Sequence, residues 1–321
     1  MKWKKKGLLF DVEKYRNDKW LDSFAQAPDV LVFNDFVRVY FSCRPKPDDE
    51  GRYISYSAFV DLNRQNLYDI VNISKEPILK LGNPGTFDEF GTYPCSVLQE
   101  KNKILCFYAG RTRCQSVPYD AAIGLAISDN GGITFEKIGE GPVLSASPFQ
   151  PFCISGPKIR KYNGIYYLFY IYGTKWFYYN NRAELITKIG LATSKDTINW
   201  NINNNIIIND KLGNNEWQAS PDVFYKDNLY HMFFAYMKSP DFRYNHNLSY
   251  RIGYAYSTDL INWVRDDDRL NFNVSEDGWD SQMLAYPHVF ELDGKIYMLY
   301  IGNDVGKRGF GLAELVGNSL L

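Results

Sequence analysis

The 321-residue chain is poor in histidine, nearly free of net charge and without a long apolar run. A formal net charge of -1 argues against a nucleic-acid binder, because neutralising duplex phosphates takes a basic face. No stretch approaches the roughly 18 apolar residues that cross a bilayer as a helix, so no membrane span is expected. Three histidines and no C-x-x-C pair argue against a zinc site. The odd, scattered cysteine set (Cys43, Cys95, Cys106, Cys114, Cys153) suggests free thiols. Lys2 to Lys6 resembles the basic start of a signal peptide, but Gly7-Leu8-Leu9-Phe10 is short of an apolar region of about 7–15 residues. A cytoplasmic location is therefore expected. Phosphate-loop, H-E-x-x-H, EF-hand and G-x-S-x-G motifs are absent, and no cofactor is implied by them.

Aromatic residues, at 17%, are the abundant class. Rings fit pleated, half-buried sheets, and some can stack on the C–H faces of sugars. They also repeat. Proline precedes a short apolar strand at Pro28, Pro94, Pro157, Pro221 and Pro287, at spacings of 66, 63, 64 and 66 residues. A second, aromatic strand follows each, as in Ile104-Leu105-Cys106-Phe107-Tyr108 and Ile296-Tyr297-Met298-Leu299-Tyr300. A third recurs as Ile123-Gly124-Leu125-Ala126, Ile189-Gly190-Leu191-Ala192, Ile252-Gly253-Tyr254-Ala255 and Phe310-Gly311-Leu312-Ala313. Fourth strands are expected at Ile198-Asn199-Trp200 and Ile261-Asn262-Trp263. Five units of four short strands predict an all-β, five-bladed β-propeller. The N-terminal Gly7-Leu8-Leu9-Phe10 is expected to close the last blade, making residues 1–321 one domain. Each proline is expected at the first position of an inner strand, where no ladder donor is needed.

Ligands of propellers bind in the funnel at one end of the axis, so candidate residues are those leading into the inner strands. Gly85-Thr86-Phe87-Asp88-Glu89 places two carboxylates before blade two. Asn215-Glu216-Trp217 does the same with an acid and an indole before blade four, and Gly278-Trp279-Asp280 before blade five. Gln26 and Asp29 flank the proline of blade one. Arg44 and Arg111 end second strands and can fork onto a carboxylate or phosphate. His288 is a candidate acid or base near neutral pH, and Asp304 is a candidate rim residue. Each has a structural alternative: a turn cap for Asp88, an ion pair for the arginines, a packed imidazole for His288.

These repeats and the Ser-x-Asp…Ile-Asn-Trp blade endings resemble the five-bladed propeller glycosidases of glycoside hydrolase families 32, 43, 68, 117 and 130. Gly85 to Glu89, Val117-Pro118-Tyr119 and Ser275 to Ser281 resemble more closely an uncharacterised subgroup associated with surface-polysaccharide genes. The resemblance spans nearly the whole chain. It implies a carbohydrate substrate and carboxylate acid/base catalysis, and leaves open a Ca²⁺ ion in the central channel. The catalytic triad of family 43 does not carry over, since Ala27, Gly156 and Ala219 stand at its positions. The acids expected to replace it are Glu216 as proton donor and Asp88 as base or nucleophile, with Glu89 and Asp280 beside them. Trp176, Trp217 and Trp279 are the expected stacking groups, and Tyr119 is a further substrate-binding candidate. The rivals are a catalytically inert sugar-binding propeller and a phosphorylase or transferase whose arginines hold phosphate.

Overall fold

The computed structural model describes residues 1–320 except residues 18, 244 and 318. Five four-stranded antiparallel sheets form a propeller. The inner strands are Ser23–Val32, Thr92–Glu100, Phe152–Tyr162, Glu216–Lys226 and Ala285–Leu292. The N-terminal strand Trp3–Asp11 pairs antiparallel with Gly309–Leu315 and supplies the outer strand of blade five. No helix among the described residues is long and apolar enough to cross a membrane.

The repeated glycine of the third strands has a packing reason. A Cβ on Gly124 would lie 2.5 Å from the Tyr108 ring, on Gly190 2.8 Å from Tyr170, and on Gly253 2.6 Å from Phe234. On Gly311 it would lie 2.3 Å from Trp279. A ring therefore rests on each glycine, and any larger residue would displace it from a close-packed interior.

The prolines sit differently from the expectation. Every inner strand begins before its proline, and pairing with the second strand slips there: between Gln26 and Asp29, Thr92 and Cys95, Ser155 and Lys158, Ala219 and Asp222, and Ala285 and His288. The missing proline N–H thus falls in a β-bulge, where the ladder is already interrupted. Ala27, Ser220 and Tyr286 adopt φ values of 50°, 51° and 50°, Gly156 adopts 59°, and the Tyr93–Pro94 bond is cis. Such bulges re-aim side chains, and Tyr93, Gly156, Ser220 and Tyr286 all line one axial cavity.

Beside the ring of prolines the axis is filled by charge. Lys158 Nζ lies 2.7 Å from Asp29 and 3.5 Å from Asp222, and Arg160 Nη2 lies 2.5 Å from Asp222. Asp222 Oδ2 also accepts the Val289 N–H at 2.6 Å. These groups join blades one, three, four and five. Burial opposes ionisation of Asp29 and Asp222, but the cations Lys158 and Arg160 outweigh it and hold both carboxyls below their usual range.

Candidate functional site

A cavity of about 510 Å³ opens at the funnel mouth, and its lining includes Gln26, Arg44, Arg111, Tyr119, Trp217 and Asp304 from the sequence expectation. Phe24, Tyr53, Tyr93, Tyr250, Tyr286, Val305 and Lys307 complete it. Arg44 and Arg111 stand near the C-terminal ends of the second strands Phe36–Arg44 and Lys103–Arg113, which is why both reach the mouth. Their Nη2 atoms stand 3.4 and 3.2 Å from the Tyr93 hydroxyl. Arg111 lies over the rings of Tyr93 and Tyr119 at 4.6 and 4.3 Å, and Arg44 over Phe24 at 4.4 Å. Arg44 also donates to Gln26 Oε1 at 3.1 Å. Among the described residues neither guanidinium has a carboxylate partner.

Three buried donors around this cavity have no hydrogen-bond partner among the described residues: Arg44 Nε, Arg111 Nε and Trp217 Nε1. Buried polar groups are nearly always paired, so three unpaired ones on residues of one lining single out this cavity. Burial pushes the Tyr93 phenol up, yet Arg111 and Arg44 outweigh it and lower it to about 8. Burial raises Tyr119 to about 12 in spite of Arg111.

The carboxylates expected to catalyse are engaged elsewhere. Asp88 accepts from Tyr108 Oη and Thr86 Oγ1, both at 2.9 Å, and pairs with Lys137 at 2.5 Å. Asp280 accepts from Tyr300 Oη at 3.0 Å and pairs with Lys5 at 2.7 Å. Both acids thereby tie the loop before a blade to that blade's second and outermost strands. In blade four Phe234 stands where blades two and five have Tyr108 and Tyr300, so no hydroxyl is available. There Glu216 is fully buried, pairs with Arg265 at 2.6 Å and accepts the N–H groups of Lys211 and Leu212 at 2.7 and 2.8 Å. Burial opposes its ionisation, but Arg265 and the Leu212 N–H outweigh it and hold it below the usual carboxylate range. A proton donor needs the opposite displacement. Glu216 and Asp88 each bond to partners of their own blade, and neither lines the funnel mouth. Glu89 accepts the Gly85 N–H at 2.8 Å and closes its own loop.

Other expected residues also lie outside the lining. His288 Nε2 accepts the Val30 N–H at 3.1 Å, which leaves its proton on Nδ1, 3.4 Å from Asp222. Burial and Lys158 lower its pKa, so the imidazole is neutral and committed, and Asp29 is held in the same cluster. Trp279 stacks on Tyr300 at 5.2 Å. Trp176 packs edge-on against Tyr119, which lines the cavity, at 5.8 Å. A channel Ca²⁺ does not fit: the axial carboxylates already face Lys158 and Arg160. Among the described residues no three His, Cys, Asp or Glu side chains are grouped to hold a metal. A wider cleft of about 760 Å³ borders Asp88, where Asn83 donates to Glu140 at 2.6 Å and Lys137 and Thr86 engage Asp88.

No known family profile matches the chain. A solved structure named "Glycoside hydrolase" superposes with a TM-score of 0.74 at 17% identity, covering 99% of this chain and 93% of its own length. A member of the family-130 mannoside phosphorylases and hydrolases gives 0.69 at 14%, covering 94% and 86%. An endo-arabinase from Bacteroides thetaiotaomicron gives 0.64 at 12%, covering 97% and 98%. At these identities the likeness establishes the fold alone. Two uncharacterised proteins of Mycobacterium tuberculosis, from strains CDC 1551 / Oshkosh and ATCC 25618 / H37Rv, are each 31% identical over 316 residues, 98% of this chain and 99% of theirs. The chain therefore belongs to the family of these mycobacterial proteins, built on the five-bladed propeller that glycoside hydrolases of families 32, 43 and 130 also use.

Proposed function

We propose that the funnel mouth binds an acidic saccharide, one bearing a carboxylate, sulfate or phosphate group. The observation that carries this is that Arg44 and Arg111, two guanidiniums without a carboxylate partner among the described residues, line one aromatic cavity, with an unpaired donor on each and on Trp217. An anion between the two guanidiniums would accept charge-assisted hydrogen bonds, while Tyr119, Tyr250 and Trp217 offer faces and edges to the pyranose. An acidic sugar also suits the surface-polysaccharide setting that the sequence resemblance implies. Isothermal titration with galacturonic acid and with galactose tests the proposal. The acid should bind at least about tenfold more tightly, and Arg111→Ala should remove that preference. Equal affinity for the two sugars would refute it.

A second reading is cleavage of that saccharide. The usual mechanism needs two carboxyl groups flanking the scissile bond, and Asp304 is the sole acid among the described residues of the lining. The observation in favour of cleavage is Tyr93, a phenol lowered to about 8 between two guanidiniums. Some glycosidases use a tyrosine oxygen as the nucleophile in place of a carboxylate. Here that oxygen would attack the anomeric carbon as the glycosidic C–O bond breaks, the departing oxygen taking its proton from solvent, and water would then hydrolyse the glycosyl–tyrosine bond. Reducing-end release from an acidic oligosaccharide, lost in Tyr93→Phe with binding retained, would support cleavage. Binding without release leaves the protein a lectin-like propeller.

A further inference from the structure

The funnel mouth adjoins a second cavity, of about 420 Å³, lined by Asn180, Arg182, His246, Ser249, Gln282 and Asp304 with Phe242 and Met283. Asp304 borders both. Each cavity alone falls in the range of a small-molecule site, roughly 300–1,000 Å³, so the pair exceeds what one sugar ring fills.

The second cavity is walled by two excursions from the repeat. One is the tip of the hairpin formed by Ile165–Tyr179 and Arg182–Ser194, far longer than its counterparts in the other blades. It turns through Asn180 and Asn181, both left-handed at φ 48° and 59°. The other is the insertion of blade four that carries the short turn His246–Leu248. Arg251 holds this insertion to its neighbour by donating to the carbonyls of His246, Tyr250 and Gln282 at 3.1, 2.9 and 3.0 Å. The Gln282 N–H in turn donates to Asn303 Oδ1 at 2.8 Å. The boundary residues Asp304 and Val305 both adopt left-handed backbone, at φ 54° and 56°, a conformation costly for a β-branched residue and typical of functional sites.

Charge is distributed in the same pattern on both sides. Arg44, Arg111 and Lys307 line the first cavity, Arg182 the second with the His246 imidazole beside it, and Asp304, the one acid among the described residues of either lining, stands between them. Arg182 has an acidic neighbour, Glu184, at 3.5 Å, and remains 62% exposed in its side chain. We infer that the two cavities form one extended site for an acidic oligosaccharide. Its terminal unit would lie between Arg44 and Arg111, and its next units would cross Asp304 to meet Arg182 and His246. The inference rests on the acidic-saccharide reading and adds to it a chain length and a second set of contacts.

Titration calorimetry with galacturonic acid and with its linear trimer tests this. The wild-type protein should bind the trimer at least about tenfold more tightly than the monomer. In the double variant Arg182→Ala/His246→Ala the trimer-to-monomer ratio should fall to within about twofold of one. Both residues are exposed, one on a hairpin and one on a surface turn, so the fold tolerates their loss. A wild-type ratio near one, or a ratio unchanged in the double variant, overturns the extended site while monomer binding leaves the funnel proposal standing. Failure of both sugars to bind overturns the two together.

Discussion

Tyr93 gives the funnel a pH dependence whose sign and size follow from its neighbours. An ordinary tyrosine ionises near 10. In the fold burial raises the Tyr93 phenol, the guanidiniums of Arg111 and Arg44 outweigh it, and the value comes to about 8. The folded value lies below the unfolded one, so ionised Tyr93 adds stability that is fully present above about pH 10 and is lost as pH falls through about 8. An anionic ligand competes for the same two guanidiniums and therefore favours the neutral phenol. If binding requires that form, affinity is level below about pH 7 and falls about tenfold by about pH 9, close to 1.4 kcal/mol. Reciprocally, ligand at about a hundredfold its dissociation constant should raise the Tyr93 value by about two units. The assay is a titration of tyrosinate absorption, wild type minus Tyr93→Phe, with and without galacturonate, beside calorimetric affinities over the same range. Tyr119, pushed up to about 12, stays protonated throughout. Tyr93→Phe should bind with no alkaline decline, and Arg111→Ala should return the Tyr93 value toward 10. A difference titration centred on 10 in the wild type, or an affinity flat across the range, would refute the reasoning.

Two further outcomes test the structural roles given to the other acids. Glu216→Gln leaves the buried Arg265 with Asp267, 3.0 Å from its Nε, as its remaining carboxylate and should destabilise the protein by about 2 kcal/mol, read by chemical denaturation, with saccharide affinity unchanged within about twofold. A variant of wild-type stability that loses turnover or binding would return Glu216 to the site. Asp222→Asn leaves Lys158 and Arg160 sharing Asp29 alone and should cost about 3–5 kcal/mol near neutral pH. Because the Asp222 pKa is depressed in the fold, its contribution is complete above about pH 4 and fades as the solution becomes more acid. The gap between variant and wild type should therefore narrow in acid, and a gap independent of pH would count against the axial cluster.

The fold is legible because each blade repeats its own local chemistry. A glycine in the third strand and a ring at the end of the second, such as Gly190 and Tyr170, are the two halves of one contact, so both recur with it. The closing strand is legible for a related reason, since blade five ends at Leu315 one strand short. What the repeat conceals is the bulge. In the sequence each proline looks like the start of an inner strand, whereas in the fold it interrupts one. Tyr93 and Tyr286 consequently look like lead-in residues, although the interruption is what turns them into the funnel.

The expected catalytic acids lie outside the lining of the funnel mouth for a reason that the chain itself contains. Asp88, Glu216 and Asp280 occur at matching positions, as a catalytic set before successive inner strands would. The same regularity arises when a blade must fasten its approach loop to its outer edge, and the fastening partner lies far along the chain: Arg265 is 49 residues beyond Glu216, and Lys5 is 275 before Asp280. A usable signal is the ring at the end of the second strand. Tyr108 and Tyr300 each offer a hydroxyl to an aspartate, and where Phe234 removes that hydroxyl the acid becomes a longer glutamate with an arginine. Covariation within one chain thus points to structure. The groups that break the repeat point the other way. Donors on Arg44, Arg111 and Trp217 are left without acceptors among the described residues, and the hairpin of Ile165–Tyr179 and Arg182–Ser194 is longer than its counterparts. In a fold built on repetition, the proposed binding site is expected where repetition fails.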